Sequence, residues 1–272
     1  MFTFLLFDVG HGFCAYATTP GGGTILFDCG YDDDLQFHPS RYFRDRGITT
    51  ISQLVLSHFD QDHVCDLPNV REIVTFGSII RNKTIPVDFI EAVKRKEGLI
   101  TTAMASALDM HRHWTAPVLV APNYGGVNLT IFNNSYPDFT DTNNLSVVAF
   151  LEYEGCGIVI PGDLKAAGWE RLLKNSAFCE CLKRTTIFIA SHHGRDNGYC
   201  EAVFNYCKPH VIILSDKNKI HDSQDHDYTK HASGTTGEGQ KRFVYTTRND
   251  GHILITKQPN DLITYVAPHT QL

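Results

Sequence analysis

The chain reads as an α/β protein folded into a four-layer αββα sandwich, and three observations predict it. Short apolar runs such as Ile25-Leu26-Phe27 and Ile158-Val159-Ile160 stop abruptly at turn-forming residues and read as buried strands. Between them lie stretches whose apolar residues recur at helical spacing. The second half then repeats the first in outline, and two strand-rich halves with helices outside give layers that bury one another. One domain is expected over residues 1–272, with halves at about 1–120 and 121–272.

Taken in order, residues 2–7, 14–18 and 24–27 are predicted strands, with Gly10-His11-Gly12 and Pro20-Gly21-Gly22-Gly23 turning between them. Residues 39–46 predict a helix, 53–57 a strand, 67–74 a helix and 78–81 a short strand. Over 87–113, Phe89, Ile90, Val93, Leu99, Ile100, Met104 and Leu108 predict one or two helices, with His111 and His113 as cations at the end. Strands follow at 118–120, 129–132, 146–153 and 157–160, then a helix at 166–174 and a strand at 186–190. A helix near 201–207, a strand at 211–215 and a hairpin of 243–247 with 252–256 complete the chain, the turn Arg248-Asn249-Asp250-Gly251 suiting a hairpin. The stretch from Gly234 to Gly239 reads as a flexible surface loop, and His226 and His231 as solvated.

Composition narrows the class. With 42% hydrophobic and 20% charged residues, the chain has the balance of an ordinary soluble globular protein. No apolar run approaches the roughly 18 residues of a membrane span, so no membrane role is expected. The apolar start lacks a basic segment and a cleavage site and leads into Asp8-Val9-Gly10, a first strand rather than a signal peptide. Eight cysteines without a CxxC pair read as free thiols in a reducing cytoplasm. A net charge of −6 advertises no duplex-binding surface.

Chemistry concentrates where an apolar strand runs into His58-Phe59-Asp60-Gln61-Asp62-His63. Two imidazoles and two carboxylates within six positions are costly to pack together unless a cation compensates them, so a metal loop is expected. Two later strands end the same way, in Pro161-Gly162-Asp163 and in Ser191-His192-His193-Gly194.

This loop resembles the HxHxDH signature of the metallo-β-lactamase fold, with Asp60 in place of the second His. That variant is similar to the hydrolase domain of the ComEC-like DNA-uptake proteins. Asp8-Val9-Gly10-His11-Gly12 resembles their DVGQG opening, and Ile25 to Gly30 their ILIDTG. Asn143-Asn144-Leu145-Ser146-Val147-Val148 resembles NNxSLV, Ile158 to Asp163 resembles LLTGD, and Ala190 to Arg195 resembles AHHGS. The stretches from Val211 to His221 and from Thr246 to Gly251 also follow the family, so the motifs span nearly the whole chain in family order. Departures are Phe13, where an acidic residue is usual, His11 for Gln, and Arg195 for Ser.

The resemblance implies one or two divalent ions, Zn²⁺ or Mn²⁺. It gives His58 and Asp60 to a first ion, Asp62, His63 and His192 to a second, and Asp163 to both. Asp28 and Asp8 would support the loop, and Asp62, His193 and His221 would be the catalytic groups, His193 as a supporting residue or a donor to the leaving group. Arg195 and Asn144 are the expected substrate contacts, a cation at Arg195 suiting a phosphate. The His that completes the first site has no match, and the Asn143-Asn144 stretch stands where it would be sought. A carboxylate-rich set shifts preference towards Mn²⁺ and phosphodiester chemistry. The expected function is therefore a phosphodiesterase or nuclease using a metal-activated hydroxide on nucleic acid or a nucleotide. The alternatives are a zinc-dependent ester, lactone or amide hydrolase, and a binding module holding metal for structure.

Overall fold

The computed structural model describes residues 1–32, 35, 37–217, 225–237, 240–261 and 263–266. Among them, two large sheets face each other. The first runs, edge to edge, Thr264–Val266, Ile253–Lys257, Phe2–Leu6, Ala15–Thr18, Thr24–Phe27, Gln53–Val55 and Ile79–Ile80. The second runs Val244–Thr246, Val211–Leu214, Ile187–Ile189, Cys156–Ile160, Val147–Tyr153 and Asn128–Asn133.

Strand alternation builds the layers. Phe4, Leu6, Ile25, Phe27 and Val55 point inward to Val147, Ala149, Ile158, Ile187 and Ile213, making the core between the sheets. Their neighbours Leu5, Phe7, Leu26 and Leu54 point outward to Phe43, Leu67, Val70, Ile90 and Ala107 on the covering helices. On the far side Val148, Phe150, Val159, Phe188 and Ile212 pack against Trp169, Leu172, Phe178, Leu182 and Tyr228. Strands buried on both faces read as continuous apolar runs, which is why the sequence shows them clearly. The result is the αββα sandwich. No helix among the described residues is long and apolar enough to cross a membrane.

Several local expectations are corrected. The hairpin of 243–247 with 252–256 does not form. Val244–Thr246 joins the second sheet beside Val211–Leu214, and Ile253–Lys257 pairs with Phe2–Leu6 in the first. Between them Thr247–Asp250 closes a helical turn, with Asp250 Oδ2 accepting the Thr246 N–H at 2.9 Å. A primed hairpin turn needs left-handed backbone at both central positions, and here only Gly251 of that stretch has it, at φ 68°. The chain thus crosses from one sheet to the other, and the first sheet takes two strands from beyond the expected boundary between halves.

Residues 118–120 form no strand; Val118, Leu119 and Val120 are exposed between Pro117 and Pro122, which interrupt sheet pairing. The stretch read as a loop contains Thr235–Gly237 paired antiparallel with Gln240–Arg242. The helix Ser176–Lys183 was not expected; Asn175 caps it by accepting the Ala177 N–H. His111 is a buried core residue and not a terminal cation. Its Nδ1 accepts from Arg81 Nε at 3.0 Å, its Nε2 donates to the Ile85 carbonyl at 2.8 Å, and burial lowers its pKa. His231 stacks on Phe204 with centroids 3.9 Å apart and is half-buried, while the His226 side chain lies outside the described residues.

Candidate metal centre

The candidate ligands all follow the carboxyl ends of strands. Gln53–Val55 runs parallel to Thr24–Phe27, and Cys156–Ile160 parallel to Ile187–Ile189. Parallel strands present their carboxyl ends at one edge, so the loops after them converge. Asp28 follows one strand, the run from His58 to His63 the next, and Asp163 and His192-His193 follow the two in the second sheet.

Close backbone packing holds the metal loop. The Asp62 carbonyl accepts the Phe13 N–H at 3.3 Å, and the His63 carbonyl accepts the Cys29 N–H at 2.8 Å. A Cβ at Gly30 would stand 2.1 Å from the Asp62 carbonyl oxygen, and one at Gly12 2.5 Å from it. The two Gly-containing motifs therefore exist partly to admit this loop. Gly30→Ala should push Asp62 and His63 out of register, destabilise the chain by about 1–3 kcal/mol and weaken metal binding. Melting curves and metal content of the purified variant check this; unchanged metal content would show that the loop tolerates the shift.

On the opposite side, His192 and His193 both have left-handed backbone, at φ 52° and 58°. Two successive non-glycine residues in this region are costly, and the surrounding bonds enforce it. The His192 N–H donates to the Gly162 carbonyl at 3.2 Å, and Ser191 Oγ donates to the same carbonyl at 3.1 Å. The Asp163 turn and the histidine turn are thereby locked together.

Asp62, His63, Asp163 and His193 form the one compact group, among the described residues, whose ligand atoms all lie within 4.8 Å of one another. His63 Nε2 is 3.1 Å from Asp163 Oδ1 and 3.3 Å from His193 Nε2, which is 3.2 Å from Asp62 Oδ2. The other ring nitrogens are engaged by acceptors. His63 Nδ1 donates to Asp28 Oδ2 at 2.8 Å, and His193 Nδ1 donates to the Ser215 carbonyl at 2.9 Å. Both Nε2 atoms are thus presented to the shared space, the arrangement that orients metal-binding imidazoles. Asp28 also accepts from Ser57 N and Oγ at 2.8 and 2.6 Å, and so ties His63 to the residue before His58.

Electrostatics point the same way. Burial works against the charge on His63 and His193, but Asp163 and Asp62 outweigh it and raise both pKa values. Burial likewise opposes ionisation of Asp163 and Asp62, and the imidazoles outweigh it and hold both carboxyls below the usual range. The cluster thus favours positive charge in the space between the two Nε2 atoms and the two carboxylates. Two carboxylates and two imidazoles match the charge and donor preference of a divalent ion.

Other expected residues fall differently. His193, expected outside the ligand set, stands within this group, while His192 lies on the opposite side of Asp163, its Nε2 3.6 Å from Oδ2. His192 Nε2 already receives an Arg195 N–H at 3.2 Å, and its ring centroid lies 6.2 Å from that of His193. His58 Nε2 also faces Asp163 Oδ2, at 3.7 Å, with Asp60 Oδ2 3.8 Å away. Asp60 is paired with the Lys94 ammonium at 2.7 Å, a contact the sequence did not suggest.

Asn144, expected at the substrate, is turned to the scaffold: its Oδ1 accepts the Lys165 and Gly168 N–H groups and secures the chain after Asp163. The Asp8 carboxylate accepts the Gly10 N–H and its own N–H donates to His252 Nδ1, so these bonds steady the first loop rather than the cluster. Phe13 lies buried with its ring parallel to His63, 6.2 Å between centroids, as an apolar wall. Arg195 bridges His192 and His11, its Nη2 2.7 Å from His11 Nε2. Burial, reinforced by His193, pushes His11 down to about 4. His221 lies outside the described residues.

The sequence profile of the Metallo-beta-lactamase superfamily matches residues 8–177. ComE operon protein 3 of Bacillus subtilis is 22% identical over 226 residues, which cover 77% of this chain but only 28% of that protein. Among solved structures, a metallo hydrolase from the archaeon Ignicoccus hospitalis aligns with TM-score 0.49 and 14% identity over 94% of this chain and 100% of its own. YhfI from Bacillus subtilis aligns with TM-score 0.48 and 10% identity over 97% and 100%. With the profile covering more than half of its length and a carboxylate–imidazole group able to hold a metal ion, the chain belongs to the metallo-β-lactamase superfamily.

Proposed function

We propose that the protein is a divalent-metal phosphodiesterase acting on nucleic acid or nucleotides, with Asp62, His63, Asp163 and His193 holding the ion. The observation that carries the choice of substrate is Arg195. Its guanidinium lies against His192 and His11, and its Nε–H is buried without a hydrogen-bond partner among the described residues. An unpaired buried donor on a cation beside this cluster suits an anionic oxygen better than a neutral ester or amide. The likeness to the ComEC-like hydrolases, with motifs in order along the chain, supports the same substrate class.

A bound ion supplies Lewis-acid polarisation of a phosphoryl oxygen and lowers the pKa of an attacking water. The chain's own groups do the rest. Asp28 and the Ser215 carbonyl keep the His63 and His193 lone pairs aimed at the site. Asp62 is the more open of the two carboxylates, its side chain 26% exposed against 5% for Asp163, and so would hold the ion from the solvent-facing side. Arg195 would bind and orient the phosphate.

The test is turnover of bis(p-nitrophenyl) phosphate against p-nitrophenyl acetate, with Mn²⁺ or Zn²⁺ and after chelation. Phosphodiester turnover that is lost on chelation is expected. Arg195→Met should raise KM for the phosphodiester about tenfold, near 1.4 kcal/mol, while metal content stays unchanged. Faster ester than phosphodiester turnover would overturn the assignment.

A further inference from the structure

Of the two donors that the resemblance gives to a first ion, His58 and Asp60, the carboxylate lies against a cation of the protein's own. Lys94 Nζ lies 2.7 Å from Asp60 Oδ1, 2.7 Å from Glu97 Oε2 and 3.4 Å from Thr142 Oγ1. The lysine is only 3% exposed, a depth lysine reaches almost solely when paired. It comes from the helix Val87–Glu97, whose buried positions are Ile90 and Lys94, one turn apart on the same face. Burial works against its charge, but Asp60 and Glu97 outweigh it and raise its pKa.

Among the described residues, few other candidate donors stand on that side of Asp163. Arg195 donates to His192 Nε2, and Asn143 Nδ2 lies 3.5 Å from the same atom in the region where a third imidazole is missing. His58 Nε2 is left without a hydrogen-bond partner among the described residues, facing Asp163, which the other cluster already uses. One imidazole and a shared carboxylate make a thin donor set, and an ion recruiting Asp60 would meet the ammonium.

We infer that the chain holds a single ion, at Asp62, His63, Asp163 and His193, and that Lys94 seated on Asp60 supplies the fixed positive charge a second ion would otherwise bring. This rests on the ion-holding part of the proposed function. Lys94 is a positioning residue that acts through Asp60.

The experiment is equilibrium dialysis of the full chain against Mn²⁺, followed by elemental analysis, on the native protein, Lys94→Met and Asp60→Asn. The native chain should hold one ion. Lys94→Met frees Asp60 beside His58 and Asp163 and should hold two. Asp60→Asn should still hold one, with the affinity for it unchanged, and covers the case in which Lys94→Met does not fold. Two ions in the native chain, loss of an ion in Asp60→Asn, or a single ion in folded Lys94→Met would overturn the inference. The count needs no substrate. A one-ion chain that leaves phosphodiesters intact would sink the proposed reaction while supporting this inference.

Discussion

Replacing Asp163 by alanine is expected to remove both metal and turnover while leaving the fold in place. Its Oδ1 faces His63 and His193 and its Oδ2 faces His58 and His192, so one side chain links both sides of the centre. Loss of the rate by a thousandfold or more, about 4 kcal/mol, is expected from phosphodiester kinetics. The surrounding core between the sheets does not depend on this side chain. In the metal-free protein, Asp163 helps hold His63 and His193 charged. A raised imidazole pKa contributes stability that is fully present below about 6.5 and fades as pH rises through the folded value. Asp163 must itself be ionised, so the melting temperatures of metal-free native protein and Asp163→Ala should differ most between about 4 and 6.5 and converge as pH rises through the raised imidazole values. Full turnover in Asp163→Ala would remove this carboxylate from the site.

The two adjacent histidines should respond oppositely. His193→Ala deletes an Nε2 that converges with His63, Asp62 and Asp163, and metal affinity should fall at least about tenfold to a hundredfold. His192→Ala deletes a ring whose Nε2 is held by Arg195, so metal content should persist while KM for an anionic substrate rises. Metal titrations of the two variants decide between them. If His192→Ala loses the ion and His193→Ala keeps it, the ligand assignment reverses to the one that the motif alone suggests.

Much of this architecture is legible in the chain because buried parallel strands and their end loops are local signals. Leu54 to His63 shows both at once, an apolar run that changes abruptly into carboxylates and imidazoles. The same pattern before Asp163 and His192 marks the second side of the centre. Local signals fail where pairing is long-range. Val244–Thr246 and Ile253–Lys257 look like two arms of a hairpin, yet each finds a better partner in a different sheet. Val118, Leu119 and Val120 have strand composition but no edge to join.

By itself the sequence determined the layered fold, the residue types of the centre and their placement at strand ends, because apolar periodicity and turn chemistry act over a few residues. Only the tertiary structure decided which imidazole enters the compact cluster, since that depends on the left-handed backbone at His192 and His193 and on the Ser215 carbonyl that orients one ring. It also decided that Lys94, which the sequence shows only as one cation in an amphipathic helix, ends on Asp60. Helix periodicity tells which face is buried, but the charge that a buried lysine must meet is supplied by a loop distant in sequence, and only packing brings the two together.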